Sequence, residues 1–102
     1  MKHHKLVRDK IIEIIESRQA RALFHIAGDQ EYKTKLYEKL LEEAGEFLKD
    51  ENEEELADIY EVLDAIIALK GFDRNRIEAI RANKLKDRGA FQKKIILEET
   101  EG

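Results

Sequence analysis

Residues 42–64 read EEAGEFLKDENEEELADIYEVLD, and this stretch predicts two helices joined by a short turn at residues 50–52. A turn this short makes the two helices antiparallel neighbours. Four acidic residues form two pairs with a spacing of three, which places both members of a pair on one helix face. They are Glu43 and Glu46 before the turn, and Glu55 and Asp58 after it. We therefore expect the four carboxylates to converge within about one helical turn, roughly 5 Å along the axis.

Acidic residues are also common on solvated helix faces and at helix N-termini, which is the plainer interpretation of these four. The helical wheel favours a site instead. The second helix of the pair has an apolar arc of about 220°, and Glu55 and Asp58 lie inside it, beside Val62 and Ala65. Acidic groups on a buried face need a partner or a metal, because like charges repel. Carboxylate oxygens at such a cluster suit Mg²⁺ or Mn²⁺ rather than zinc.

The apolar periodicity predicts an all-α fold, an antiparallel bundle of about four helices. The expected helices cover about 8–18, 31–49, 52–70 and 73–88, with Asp9, Asn52 and Asp73 as N-caps and Gly71 and Gly89 as stops. Residues 22–27 and 91–97 suit a small two-stranded β element. Because four short helices can hardly cover an apolar arc of about 220°, we expect oligomerisation to complete the bundle, as a homodimer or homotetramer.

The composition limits the class of protein. The 102 residues predict a single domain over 1–102. They are 42% hydrophobic and 41% charged, which is too apolar for a disordered chain and too charged for a membrane protein. A net charge of −4 argues against a nucleic-acid binder. The chain has no cysteine and no signal peptide is recognisable, so we expect a cytoplasmic location.

The paired motifs 43–46 and 55–58 resemble the signature of the all-α nucleoside triphosphate pyrophosphohydrolases, the MazG-like superfamily. The opening residues 5–11 and the ending 86–97 are similar to a subgroup of small phosphoribosyl-ATP pyrophosphohydrolase-like and house-cleaning enzymes. The resemblance implies Mg²⁺ held by the four acids, and hydrolysis of a nucleoside triphosphate to the monophosphate and pyrophosphate. Hydrolysis of phosphoribosyl-ATP in histidine biosynthesis is the alternative substrate reaction. A non-catalytic helical dimer that acts as an interaction module is the alternative from another class.

Two departures from the family pattern affect the site. Ile12 stands where the subgroup commonly has proline. The spacer between Glu46 and Glu55 is shorter than usual, so a literal family spacing would select Glu61 and Asp64 as the second pair. We prefer Glu55 and Asp58, because Asp64 lies off the apolar arc and too far along its helix to face Glu43.

Six further residues are candidates for catalysis and substrate binding. Glu42 and Glu61 are candidates to orient the attacking water, although the wheel position of Glu42 also suits a solvated side chain. Cations are needed for the phosphates, and the candidates are Lys84 and Arg88, four apart at the end of the last helix, and Lys5 and Arg8 in the opening motif. The plainer interpretation is that basic residues favour helix C-termini and solvated faces.

Overall fold

The computed structural model describes residues 3–102, which form four α-helices and no strand. The helices are α1 (Ile11–Ser17), α2 (Asp29–Asp50), α3 (Glu53–Lys70) and α4 (Arg74–Arg88). The all-α prediction with four helices is therefore confirmed. None of these helices combines the length and the apolar character that crossing a bilayer requires. The chain divides into two compact units, the first up to Lys70 and the second from Gly71 to Gly102.

In the first unit, α2 and α3 pack against each other as a helical hairpin. α2 ends at Asp50, and its C-cap residue Glu51 adopts the left-handed conformation (φ 49°, ψ 43°) and donates its N–H to the Phe47 carbonyl at 2.7 Å. The Asn52 side chain then accepts the N–H of Glu55 at 3.0 Å, as the capping pattern predicted. The two-residue turn fixes the register of the hairpin and thereby decides which acidic residues face each other.

The core of the first unit is small. Leu36 on α2 and Val62 on α3 are its buried hydrophobic residues, 2% and 7% exposed. Other apolar residues of the two helices lie open to solvent, among them Leu41, Leu48 and Tyr60 at 75%, 76% and 69% exposure. On α3 itself, Leu56, Tyr60 and Leu63 are exposed, whereas the other apolar residues of its arc are half-buried or buried.

The start of α1 differs from the prediction. The helix begins at Ile11 rather than Arg8, and its N-cap is Lys10, so Asp9 does not cap it. The cause is a tight turn, in which the Arg8 carbonyl accepts the N–H of Ile11 at 3.1 Å. This turn leaves Arg8 outside the helix, on the segment that leads into it.

The predicted β element is wrong for the described chain, because residues 22–27 and 91–97 are irregular there. Leu23, Ile26 and Ile96 are more than four-fifths exposed, and each segment lacks the hydrogen-bonded neighbour that a strand needs. Two short apolar segments were the signal for the strands, and in the structure they do not pair with each other. In the second unit, the Asp73 side chain caps α4 by accepting the N–H of Asn75 at 2.9 Å, as predicted.

Candidate functional site

The hairpin brings acidic residues from α2 and α3 together near the turn. Glu43, Glu55 and Asp58 each offer a carboxylate oxygen, and these oxygens lie within 4.8 Å of one another. We call these three residues the inner acidic group. Oxygens at such spacing can share one divalent cation, since Mg²⁺ and Ca²⁺ bind oxygens at about 2.0–2.6 Å. The predicted convergence of carboxylates across the turn is therefore present in the structure.

A second set of carboxylates lies next to the first. Glu46, Asp50 and Glu55 also offer oxygens within 4.8 Å of one another, and we call them the outer acidic group. Glu55 belongs to both groups, so all four predicted acids are connected through it. Sequence reasoning missed Asp50, although its spacing of four from Glu46 places both on one face of α2.

Burial differs within this cluster. The Glu43 side chain is 12% exposed and that of Asp58 40%, whereas Glu46 and Asp50 are exposed. Partial burial raises the pKa of Glu55, and the nearby carboxylates of Asp58, Asp50, Glu46 and Glu43 raise it further. The ionised form of Glu55 is thus disfavoured by its surroundings, and a bound cation would remove that penalty. The donor set is all carboxylate, and it fits Mg²⁺ or Mn²⁺.

Basic side chains pair with the inner acidic group. Arg8 donates through Nη2 to Asp58 Oδ1 at 2.8 Å, across fifty positions of sequence. Lys39 lies 3.4 Å from Glu43 and 3.4 Å from Glu42. Lys5 lies 3.4 Å from Glu42. Arg8 of the opening motif thus contacts the inner acidic group, whereas Lys5 contacts Glu42 beside it, and Lys39 is a candidate site residue that sequence reasoning missed. Its signal was the spacing of four before Glu43.

A cleft of about 430 Å³ adjoins the inner acidic group. Its wall combines apolar side chains with charged ones, and all belong to the first unit. The lining residues are Leu6, Val7, Arg8, Asp9, Lys10, Tyr32, Leu36, Lys39, Glu43, Asp58, Glu61, Val62 and Ala65. The volume lies within the range of about 300–1,000 Å³ that small-molecule sites occupy. The cleft therefore offers both charged and apolar contacts to a ligand.

The remaining predicted residues lie in different surroundings. Glu61 is exposed on the wall of the cleft. Glu42 lies outside both acidic groups, and its side chain is 35% exposed and forms ion pairs with Lys5 and Lys39. Asp64 is half-buried rather than on a fully wet face.

The family spacing had offered Glu61 and Asp64 as an alternative second pair. Within the described residues, neither side chain belongs to an acidic group that could hold a cation. Lys84 and Arg88 are exposed on α4, in the second unit. Their role in binding substrate stays a prediction.

Comparison with known proteins adds no assignment, since no protein family, curated protein or solved structure matches the chain.

Proposed function

We propose that this protein is a Mg²⁺-dependent nucleotide pyrophosphohydrolase that converts a nucleoside triphosphate, or a related nucleotide, to the monophosphate and pyrophosphate. The observation that carries the proposal is the inner acidic group, three carboxylates within 4.8 Å beside a cleft of about 430 Å³. The resemblance of the motifs 43–46 and 55–58 to the family signature supports the same reaction.

Four acids are suited to hold the metal. Glu43, Glu55 and Asp58 would bind the metal directly. Glu46 lies next to them, in the group that shares Glu55, and would add a further carboxylate near the metal. When bound, Mg²⁺ supplies charge neutralisation at the phosphates and a bound water of lowered pKa. The raised pKa of Glu55 supports this assignment, because the cluster repels further negative charge and attracts a cation.

The cleft is suited to bind the nucleotide with its phosphates beside the inner acidic group. Arg8 and Lys39 lie beside the inner acidic group and present N–H donors for phosphate oxygens. Leu36 and Val62, which are buried, contribute apolar surface to the lining of the cleft. In the reaction a water oxygen bonds to the α-phosphorus and pyrophosphate leaves. Glu61 lies on the wall and forms no ion pair with a lysine of residues 3–102, so it is better placed than Glu42 to accept the proton of that water.

The proposal includes assembly of at least two copies. The hairpin of α2 and α3 exposes large apolar side chains, among them Leu41, Leu48 and Tyr60 at 75%, 76% and 69% exposure. A second copy that covers this face would bury it, and the hydrophobic gain of roughly 25 cal/mol per Å² favours association. Sedimentation that finds a stable monomer at micromolar concentration would remove this part of the proposal.

A screen for pyrophosphate release tests the proposed activity. Canonical and modified nucleoside triphosphates and phosphoribosyl-ATP would each be incubated with the protein, with and without Mg²⁺. We expect Mg²⁺-dependent release from at least one of them, and loss of that release in Glu55→Gln. Glu54→Gln is the matched control, since Glu54 is exposed on the same helix and outside both acidic groups.

The uncovered apolar face also supports a second candidate, a non-catalytic helical dimer. The same screen separates the two candidates. A stable dimer that releases pyrophosphate from no nucleotide in the screen would favour the interaction module.

A further inference from the structure

Arg8 is the basic residue that reaches the inner acidic group from outside the hairpin, within residues 3–102. It lies on the irregular segment before α1 and donates to Asp58 at 2.8 Å, where it also lines the cleft. Lys39, by contrast, pairs with Glu43 one turn along its own helix. We propose that Arg8 is an exchangeable counter-ion: its guanidinium neutralises Asp58 until a divalent cation binds, and is then released to bind a phosphate of the substrate. This inference rests on the proposed function.

The ion pair between Arg8 and Asp58 is weak enough for a metal ion to displace. Both side chains are partly solvated, Arg8 more so than Asp58, and ion pairs of this kind are individually weak. A divalent cation among Glu43, Glu55 and Asp58 would lie close to the guanidinium and repel it. The metal and Arg8 therefore compete for the same carboxylate, and binding of one disfavours the other.

The released guanidinium would stay in the cleft. The Arg8 carbonyl accepts the N–H of Ile11, the first residue of α1, at 3.1 Å. The backbone of Arg8 is therefore tied to that helix, while its side chain, 57% exposed, can change rotamer. A planar guanidinium with several N–H donors suits two phosphate oxygens at once, so release from Asp58 provides a phosphate ligand where the cleft needs one.

The experiment measures two affinities that this exchange moves in opposite directions. Calorimetry of the full chain with Mn²⁺ would compare wild type, Arg8→Gln and Lys5→Gln. Loss of the competing guanidinium should tighten Mn²⁺ binding about two- to fivefold in Arg8→Gln. Lys5→Gln removes the same charge from the same segment, but its partner Glu42 is outside both acidic groups, so its effect should be smaller. At saturating Mg²⁺, inorganic pyrophosphate should bind about tenfold more weakly to Arg8→Gln than to wild type.

A measurement on the wild type keeps the test independent of how well the variants fold. The side-chain Nε–H resonance of Arg8 should shift as Mg²⁺ is titrated, with the midpoint of metal binding. An unmoved resonance, or equal Mn²⁺ affinities in Arg8→Gln and Lys5→Gln, overturns the inference. Metal binding that shifts Arg8 in a protein that hydrolyses no nucleotide would contradict the proposed function alone. Hydrolysis with Arg8 unmoved would contradict the exchange alone.

Discussion

The inner and outer acidic groups share Glu55 but differ in their counter-ions. In the inner group, Glu43 pairs with Lys39 and Asp58 with Arg8. In the outer group, no lysine or arginine of the described chain forms an ion pair with Glu46 or Asp50, and both are exposed. Solvent screens the outer carboxylates, whereas the inner ones depend on positive charge supplied by the protein. Clustering alone is common in acidic helices, so the paired inner group is the better candidate for chemistry.

The largest expected effect comes from Asp58→Asn, which removes an inner carboxylate and keeps its shape. We expect turnover at saturating Mg²⁺ to fall at least about a hundredfold, since changes even to residues behind metal ligands cost 10- to 100-fold. The stability of the metal-free fold should change by less than about 1 kcal/mol, because the lost Arg8 pair is offset by weaker repulsion of Glu55. Pyrophosphate release and metal-free melting curves measure the two effects.

Asp64→Asn is the control for Asp58→Asn. Asp64 lies on the same helix, outside both acidic groups, and its substitution should leave turnover largely intact. If Asp64→Asn abolished turnover while Asp58→Asn stayed active, Glu61 and Asp64 would be the functional pair and the inner group would not.

A smaller effect is expected from Asp50→Asn, in the outer group. Asp50 is exposed and has no basic partner among the described residues, so its loss should change Mg²⁺ affinity and turnover by no more than about two- to fivefold. Isothermal titration with Mg²⁺, beside Asp58→Asn, measures the contrast directly. Equal losses in both variants would show that the two groups act as one site and would remove the distinction between them.

The sequence was sufficient for the parts of the molecule that local rules determine. The turn at residues 50–52, the Asn52 cap and the opposition of the two acidic pairs follow from helical spacing and a short connection. These interactions lie within a few residues of each other along the chain or across one turn. The helix bounds of α2 and α3 were therefore predictable to within about two residues.

The contacts that the sequence could not supply are those between distant segments. The Arg8 to Asp58 pair joins residues fifty positions apart, and no periodicity marks it. The same limit explains the false β element, since a short apolar segment forms a strand only where a partner strand is available. It also explains why the prediction of Asp9 as the N-cap of α1 was wrong. The turn before α1, and not a capping side chain, decides where that helix begins.

The pH dependence of stability tests the surroundings of Glu55, the residue that the inner and outer acidic groups share. The pKa of Glu55 is raised in the folded protein, so protonation of Glu55 stabilises the folded state relative to the unfolded state. This stabilisation is fully present at a pH below the pKa of Glu55 in the unfolded chain. That contribution is lost as the pH rises through the folded pKa, since ionised Glu55 then faces its neighbours. In Glu55→Gln, the metal-free melting temperature should gain on wild type as the pH rises from about 4 to about 7. Glu54→Gln should show no such trend. If the melting temperature of Glu55→Gln followed that of wild type at every pH, the pKa of Glu55 would not be raised by its neighbours.

The smallest expected effect concerns the turn that sets both groups in register. Glu51 adopts a left-handed conformation, with φ 49° and ψ 43°. This conformation is unfavourable in free energy for a residue with a Cβ atom, but not for glycine. Glu51→Gly should therefore stabilise the protein by about 0.5–1 kcal/mol, and it should leave Mg²⁺ affinity unchanged because Glu51 belongs to neither acidic group. Ala57→Gly is the matched control, since Ala57 is exposed within α3 and glycine there should destabilise by about 1 kcal/mol. Urea unfolding of the metal-free protein measures both changes. If Glu51→Gly destabilised the fold as Ala57→Gly does, the left-handed turn would not be the native geometry, and the register that separates the inner from the outer group would have to be set elsewhere in the hairpin.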